Sequence, residues 1–150
     1  MATLTQSNSL TAVNAVATII VPEIAPAGHI IEGEFLDQAY ATGDLVNKEL
    51  KMSLQSKLYG GYIPQIKTVS VTLLPGSPSA KFFADWYQAE QAQKSTIECK
   101  TLVIALPAIK SVVTYTNGFL TKAKIMPDVK KVLQEVTYEM SFGTVTIVAV

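Results

Sequence analysis

His29 is the single histidine of this 150-residue chain, so a Ser-His-Asp triad, a Cys-His pair or a multi-histidine metal site would have to be built on it. It follows Gly28 and precedes Ile30 and Ile31, the setting of a turn or strand residue rather than of a general base. Cys99 is the single cysteine and has no partner for an internal disulfide. Its flanks alternate in strand fashion, so it reads as a small residue buried in a sheet and carries no sign of an oxidising compartment. Carboxylates that could share acid and base work, Asp37, Asp44, Asp85 and Asp128, fall at turns or on the solvent side of a helix, and no two of them have motif spacing. Sequence alone leaves open a hydrolase assembled from carboxylates far apart in the chain. Gly60-Gly61 opens no helix and has no Gly-Lys-Ser/Thr behind it, so it is not a phosphate loop. Lys130-Lys131, the only adjacent basic pair, reads as a solvated bend. The chain is not expected to be an enzyme, and no cofactor or metal is expected.

The elements that must hold these residues are organised around residues 70–94. Val69, Val71 and Leu73 alternate with Ser70 and Thr72 as in a strand; Pro75-Gly76 then stops the ladder and Ser77-Pro78-Ser79 opens a helix over 78–93. Ser77 can cap free backbone N–H groups, and Pro78 at the first helical position loses no hydrogen bond. Phe82, Phe83, Trp86, Tyr87 and Ala89 recur at spacings of three and four, with Lys81, Asp85, Gln88 and Gln91 opposite. Burial of Phe82, Phe83 and Trp86, the predicted anchor of helix on sheet, is worth roughly 2 kcal/mol each.

Composition bounds the function. With 49% hydrophobic and 16% charged residues, the chain carries more apolar surface than a monomer of this size usually hides, which predicts burial between subunits. No window approaches the roughly 18 apolar residues of a membrane span, and residues 11–21 lack the basic lead-in of a signal peptide. Net charge is zero and all twelve basic residues are lysines. Without the bidentate fork of arginine, sequence-specific grip on nucleic acid is not expected.

Elsewhere the pattern is strands. Residues 1–9 read as a flexible N-terminal arm, 15–21 and 28–35 as a first hairpin, and 50–54 as a half-buried strand. Residues 56–65 read as a projecting loop, because ten residues exceed what a hairpin turn needs. Its tip, Leu58, Tyr59, Gly60, Gly61, Tyr62 and Ile63, is expected either to meet another subunit or to fold back on its own sheet. Strands follow at 97–106, 111–119 (with a turn or bulge at Asn117-Gly118), 120–125, 134–142 and 144–150. The whole is expected to be one domain over 1–150, mainly β, a barrel or sandwich of two packed antiparallel sheets with one flanking helix.

The run Gly28-His29-Ile30-Ile31-Glu32-Gly33 with Phe35 and Asp37, then Leu73-Leu74-Pro75-Gly76-Ser77-Pro78-Ser79 leading into Phe82-Phe83, then Gly118-Phe119-Leu120-Thr121-Lys122 and the late Glu135-Val136-Thr137-Tyr138-Glu139 come in the order seen in tail tube proteins of contractile-tailed bacteriophages. The chain resembles that family over most of its length, departing from it in Pro75-Gly76 before the serines and in the excursion over 50–66. The resemblance implies a fold related to pyocin and type VI secretion tubes. It implies hexameric rings of this chain stacked into a hollow tube in the virion tail, assembled in the host cytoplasm, through which DNA is ejected. It also implies a sheath, a baseplate and a tail terminator as partners. Strands with one face on the core and one on water suit a lumen wall, for which the candidates are Thr68, Ser70 and Thr72, or Thr137, Glu139 and Ser141. With few cations there, DNA should pass without sticking. The competing expectation is a monomeric β-sandwich binding or decoration module of a virion; an enzyme using His29 or the acidic turns is a third.

Overall fold

The computed structural model describes residues 16–31, 40–46 and 48–149. The expected arm over 1–9, the continuation of a strand to Phe35, and Asp37 lie outside them. The described chain runs β1 (Val16–Val21), β2 (Ala25–Ile31), β3 (Tyr40–Thr42), β4 (Lys48–Met52), β5 (Leu58–Tyr62), β6 (Lys67–Leu73), α1 (Pro78–Gln93), β7 (Cys99–Leu106), a 3-10 turn (Pro107–Ile109), β8 (Ser111–Ala123) and β9 (Val136–Ala149). Seven strands form one sheet in the order β2-β1-β7-β8-β9-β6-β3, and β4 and β5 form a second sheet of two. All pairings are antiparallel. The protein is therefore mainly β, with two antiparallel sheets and one flanking helix. Among the described residues the larger sheet ends at β2 and β3, so it is open and not the closed barrel that was one form of the expectation. No described helix is long and apolar enough to cross a membrane.

The helix begins where its sequence requires. Ser77 accepts a hydrogen bond from Ala80 N at 3.2 Å, Pro78 takes the first helical position, and Lys94 ends the helix in the left-handed region at φ 55°, satisfying terminal backbone groups as helix ends must. Phe82, Phe83 and Trp86 lie buried beneath it while Lys81, Asp85, Gln88 and Gln91 face solvent. Phe83 stacks on Tyr138 of β9, centroids 4.9 Å apart, and the Tyr138 hydroxyl donates to Ala80 O. Trp86 Nε1 donates to Ile97 O at 3.1 Å. Around these rings, inward side chains of β1, β2, β6, β7, β8 and β9 complete one core.

The sheet turns a corner across three neighbouring strands. On β9 the core positions are Val136, Tyr138, Met140 and Phe142, then Val145; on β8 they are Val113 and Tyr115, then Gly118; on β7, Cys99, then Leu102 and Ile104. In each strand the two-residue period skips once, at matched register, and Asn117 takes φ 61° at the skip. The pairings do not slip there; the left-handed Asn117 breaks the extended run of β8, and all three strands turn the opposite pleat to the core beyond it. Gly118 is fixed by the geometry: a Cβ there would lie 2.3 Å from the ring of Phe142. Gly118→Ala is expected to destabilise by about 1–3 kcal/mol through overpacking, read by chemical denaturation. Gly61→Ala, with nothing within 4 Å, should change stability by less than about 0.5 kcal/mol.

Four expected boundaries differ. The two strands expected at 134–142 and 144–150 are one, β9, since its pairing with β8 continues across Gly143. Residues 111–125 form a single strand ending at Ala123, because the ladder runs in unbroken register through Asn117-Gly118, which is neither a turn nor a bulge; the register shift lies further on, between Leu120 and Lys122. Residues 50–54 are not half-buried: β4 is exposed throughout. Residues 56–65 are not a loop but contain β5, and the turn lies earlier, over Ser53 to Lys57, where Lys57 N donates to Ser53 Oγ at 3.1 Å and Ser53 N to Lys57 O at 2.9 Å.

Candidate assembly surfaces

The hydroxyl residues chosen as two alternative triplets occupy one surface. Register pairs Thr68 with Ser141, Ser70 with Glu139 and Thr72 with Thr137. Each alternates with a core residue, Val69, Val71 and Leu73 on β6 and Tyr138, Met140 and Phe142 on β9, so all six point away from the core. Thr72 Oγ1 and Thr137 Oγ1 share a hydrogen bond at 3.2 Å. Next on β8, Lys122 lies opposite Glu139, Nζ to Oε2 3.8 Å, and the Thr121 hydroxyl donates to Glu139 O at 3.1 Å. Beyond the corner the same face continues in two rows, Thr18-Val103-Thr114-Thr146 and Ile20-Thr101-Thr116-Thr144. Sequence reasoning missed these threonines. The signal was present in Thr114-Tyr115-Thr116 and Thr144-Val145-Thr146, where hydroxyls flank a core residue.

The second surface is the β4–β5 hairpin. Its register, Lys48 with Tyr62, Leu50 with Gly60 and Met52 with Leu58, puts four large apolar side chains, Leu50, Met52, Leu58 and Tyr62, on one side. Glu49, Lys51, Tyr59 and Gly61 take the other. Leu50 spreads across Gly60, its Cδ2 3.1 Å from where a Cβ would stand. Lys57 Nζ lies 5.4 Å above the Tyr59 ring on the opposite side. The two tyrosines of the sequence motif therefore face apart, and the apolar side draws half its members from β4. All four apolar residues are exposed, Tyr62 by 72%; Ile63, past the strand end, is half-buried.

The residues with catalytic chemistry are otherwise engaged. His29 Nε2 and Ser79 Oγ share a hydrogen bond at 3.2 Å, the contact a nucleophile and base would make, but Ser79 is 1% exposed and its hydroxyl has no open approach for a substrate. The imidazole stacks on Phe82 at 4.6 Å, interplanar angle 3°, clamping β2 to the start of α1. Cys99 is buried with Sγ near Ile20 O and Thr101 O. Burial pushes its thiol up to about 12, with Glu98 adding to the rise, so it is not a reactive thiolate at neutral pH. Asp85 is exposed, and Asp128 pairs with Lys124 at 3.2 Å. Among the described residues no group of three or more His, Cys, Asp or Glu could hold a metal.

The sequence matches the tail fiber protein gp32 family over residues 8–146. This chain belongs to that family. Among curated proteins none matches it. Its fold is that of a chain in the tube-terminating cap of the anti-feeding prophage, at TM-score 0.66 and 13% identity, covering 100% of this chain and 95% of that one. A chain of the sheath-tube complex of an extracellular contractile injection system in its extended state is similar at TM-score 0.67 and 13% identity, covering 95% and 93%. A chain of that system's sheath/tube terminator is similar at 0.62 and 13%, covering 94% and 97%. The chain thus shares, over nearly its whole length, a fold found in contractile injection systems.

Proposed function

We propose that this gp32-family chain is a structural subunit of the inner tube of a contractile tail, closing with copies of itself into rings, six-fold by resemblance, that stack into a conduit for DNA. The carrying observation is the β4–β5 hairpin, which forms a sheet of its own with its apolar side left exposed by the described residues. A two-stranded hairpin is marginal by itself, and an exposed apolar strip of this size marks a contact. Among the described residues the sheet ends at β2 and β3, which supports the same reading, since a ring of subunits removes free sheet edges. The hydroxyl face then serves as the inner wall, and sheath, baseplate and terminator proteins are the partners of the tube.

The likeness to cap and terminator chains favours a second reading, a subunit that forms one ring and stops. Size-exclusion chromatography and negative-stain microscopy of the purified chain separate the two. Tubes that lengthen with concentration support the tube subunit, single rings of fixed size support a cap or terminator, and a stable monomer at high concentration overturns both in favour of a decoration module.

A further inference from the structure

Within its strands the outer face of β3, β6, β9 and the adjoining half of β8 carries two charged groups, Lys122 and Glu139; at its border Lys124, whose N donates to Thr137 O, is paired with Asp128 at 3.2 Å. Lys122 is 76% exposed and Glu139 28%. An ion pair this open adds little to stability, yet the chain is shaped to make it. The register shifts between Leu120 and Lys122, taking Thr121 out of the ladder and setting Lys122 opposite Glu139. With the preceding register continued, Lys122 would stand opposite Tyr138, on the core side. Thr121 closes the bulge through its hydrogen bond to Glu139 O.

We propose that Glu139 neutralises Lys122 so that this face presents no unpaired cation to a polyanionic nucleic acid backbone. The inference rests on reading the face as the conduit wall. Attraction of a polyanion grows with the number of phosphates neutralised. One unpaired lysine per subunit, repeated around and along a tube, would become an array of binding points, and a carboxylate beside each removes it. The other side chains these strands turn to the face, among them Thr68, Ser70, Thr72, Phe119, Thr137 and Ser141, are neutral.

The test uses assembled wild-type, Glu139→Gln and Glu139→Gln/Lys122→Gln particles, with short double-stranded DNA as the probe and retention measured against sodium chloride concentration. Glu139→Gln should retain about ten-fold more DNA at low salt, with a log-log salt slope steeper by about one unit for each lysine engaged, and the double variant should return to wild type. A Thr72→Cys particle reports which way the face points. It should react with a small maleimide and not with one tethered to a polymer too large to enter a tube. Labelling by the bulky reagent overturns the proposal together with the conduit reading. A wild-type salt slope in Glu139→Gln, with Thr72→Cys shielded, overturns the charge assignment alone.

Discussion

Leu50→Asp combined with Met52→Asp is expected to leave the monomer folded and to abolish assembly at concentrations where wild type polymerises. Neither side chain belongs to the core, and β4 is exposed along its whole length, so the unfolding transition should coincide with wild type. In a closed contact each carboxylate would lose water without gaining a partner. At roughly 2 kcal/mol apiece, the pair raises the concentration needed for assembly about a thousand-fold. Sedimentation across a dilution series reads this directly. Tyr59→Asp, on the opposite side of the hairpin, is the control and should shift that concentration by less than about three-fold. Assembly of the double variant at the wild-type concentration would rule out the apolar side as the contact.

Trp86→Ala should act on the monomer instead. Trp86 is fully buried between Phe82 and Phe83, and truncating a core tryptophan removes about 3–5 kcal/mol. The change also strands Ile97 O, whose donor is Trp86 Nε1, which places the loss toward the upper end. For a domain of this size about 3–5 kcal/mol corresponds to a fall in Tm of roughly 10–15 °C, measurable by circular dichroism. A fall of only a few degrees would mean that α1 is held mainly by the Phe83–Tyr138 stack.

Local chemistry made α1 legible from sequence: Ser77, Pro78 and the aromatic stripe all specify the same helix, and it spans the residues they mark. The alternation of β6 and β9 was equally plain, but their pairing was not, because register between residues some 70 positions apart depends on the whole sheet. That is why two triplets stood as alternatives when they form one surface. In the hairpin, Leu50 and Met52 signalled a strand with an apolar side, and a period of two says nothing about what covers that side. Gly60-Gly61 imitated a turn. The actual turn depends on Ser53 bonding Lys57 N, while Gly60 serves to let Leu50 lie across it. Asn117-Gly118 signalled a turn or a bulge because Asn and Gly tolerate positive φ, and Asn117 does take φ 61°, but the strand continues through it in register while the bulge falls at Thr121.

The bend shared by β7, β8 and β9 has a mechanical consequence. Strand β8 passes through it without interruption and remains hydrogen-bonded to β9 on both sides. The helix-covered body and the far tip around Ile109 and Val148 are therefore joined by a stiff rib rather than a swivel. A push delivered at the tip arrives in the body as displacement of the whole.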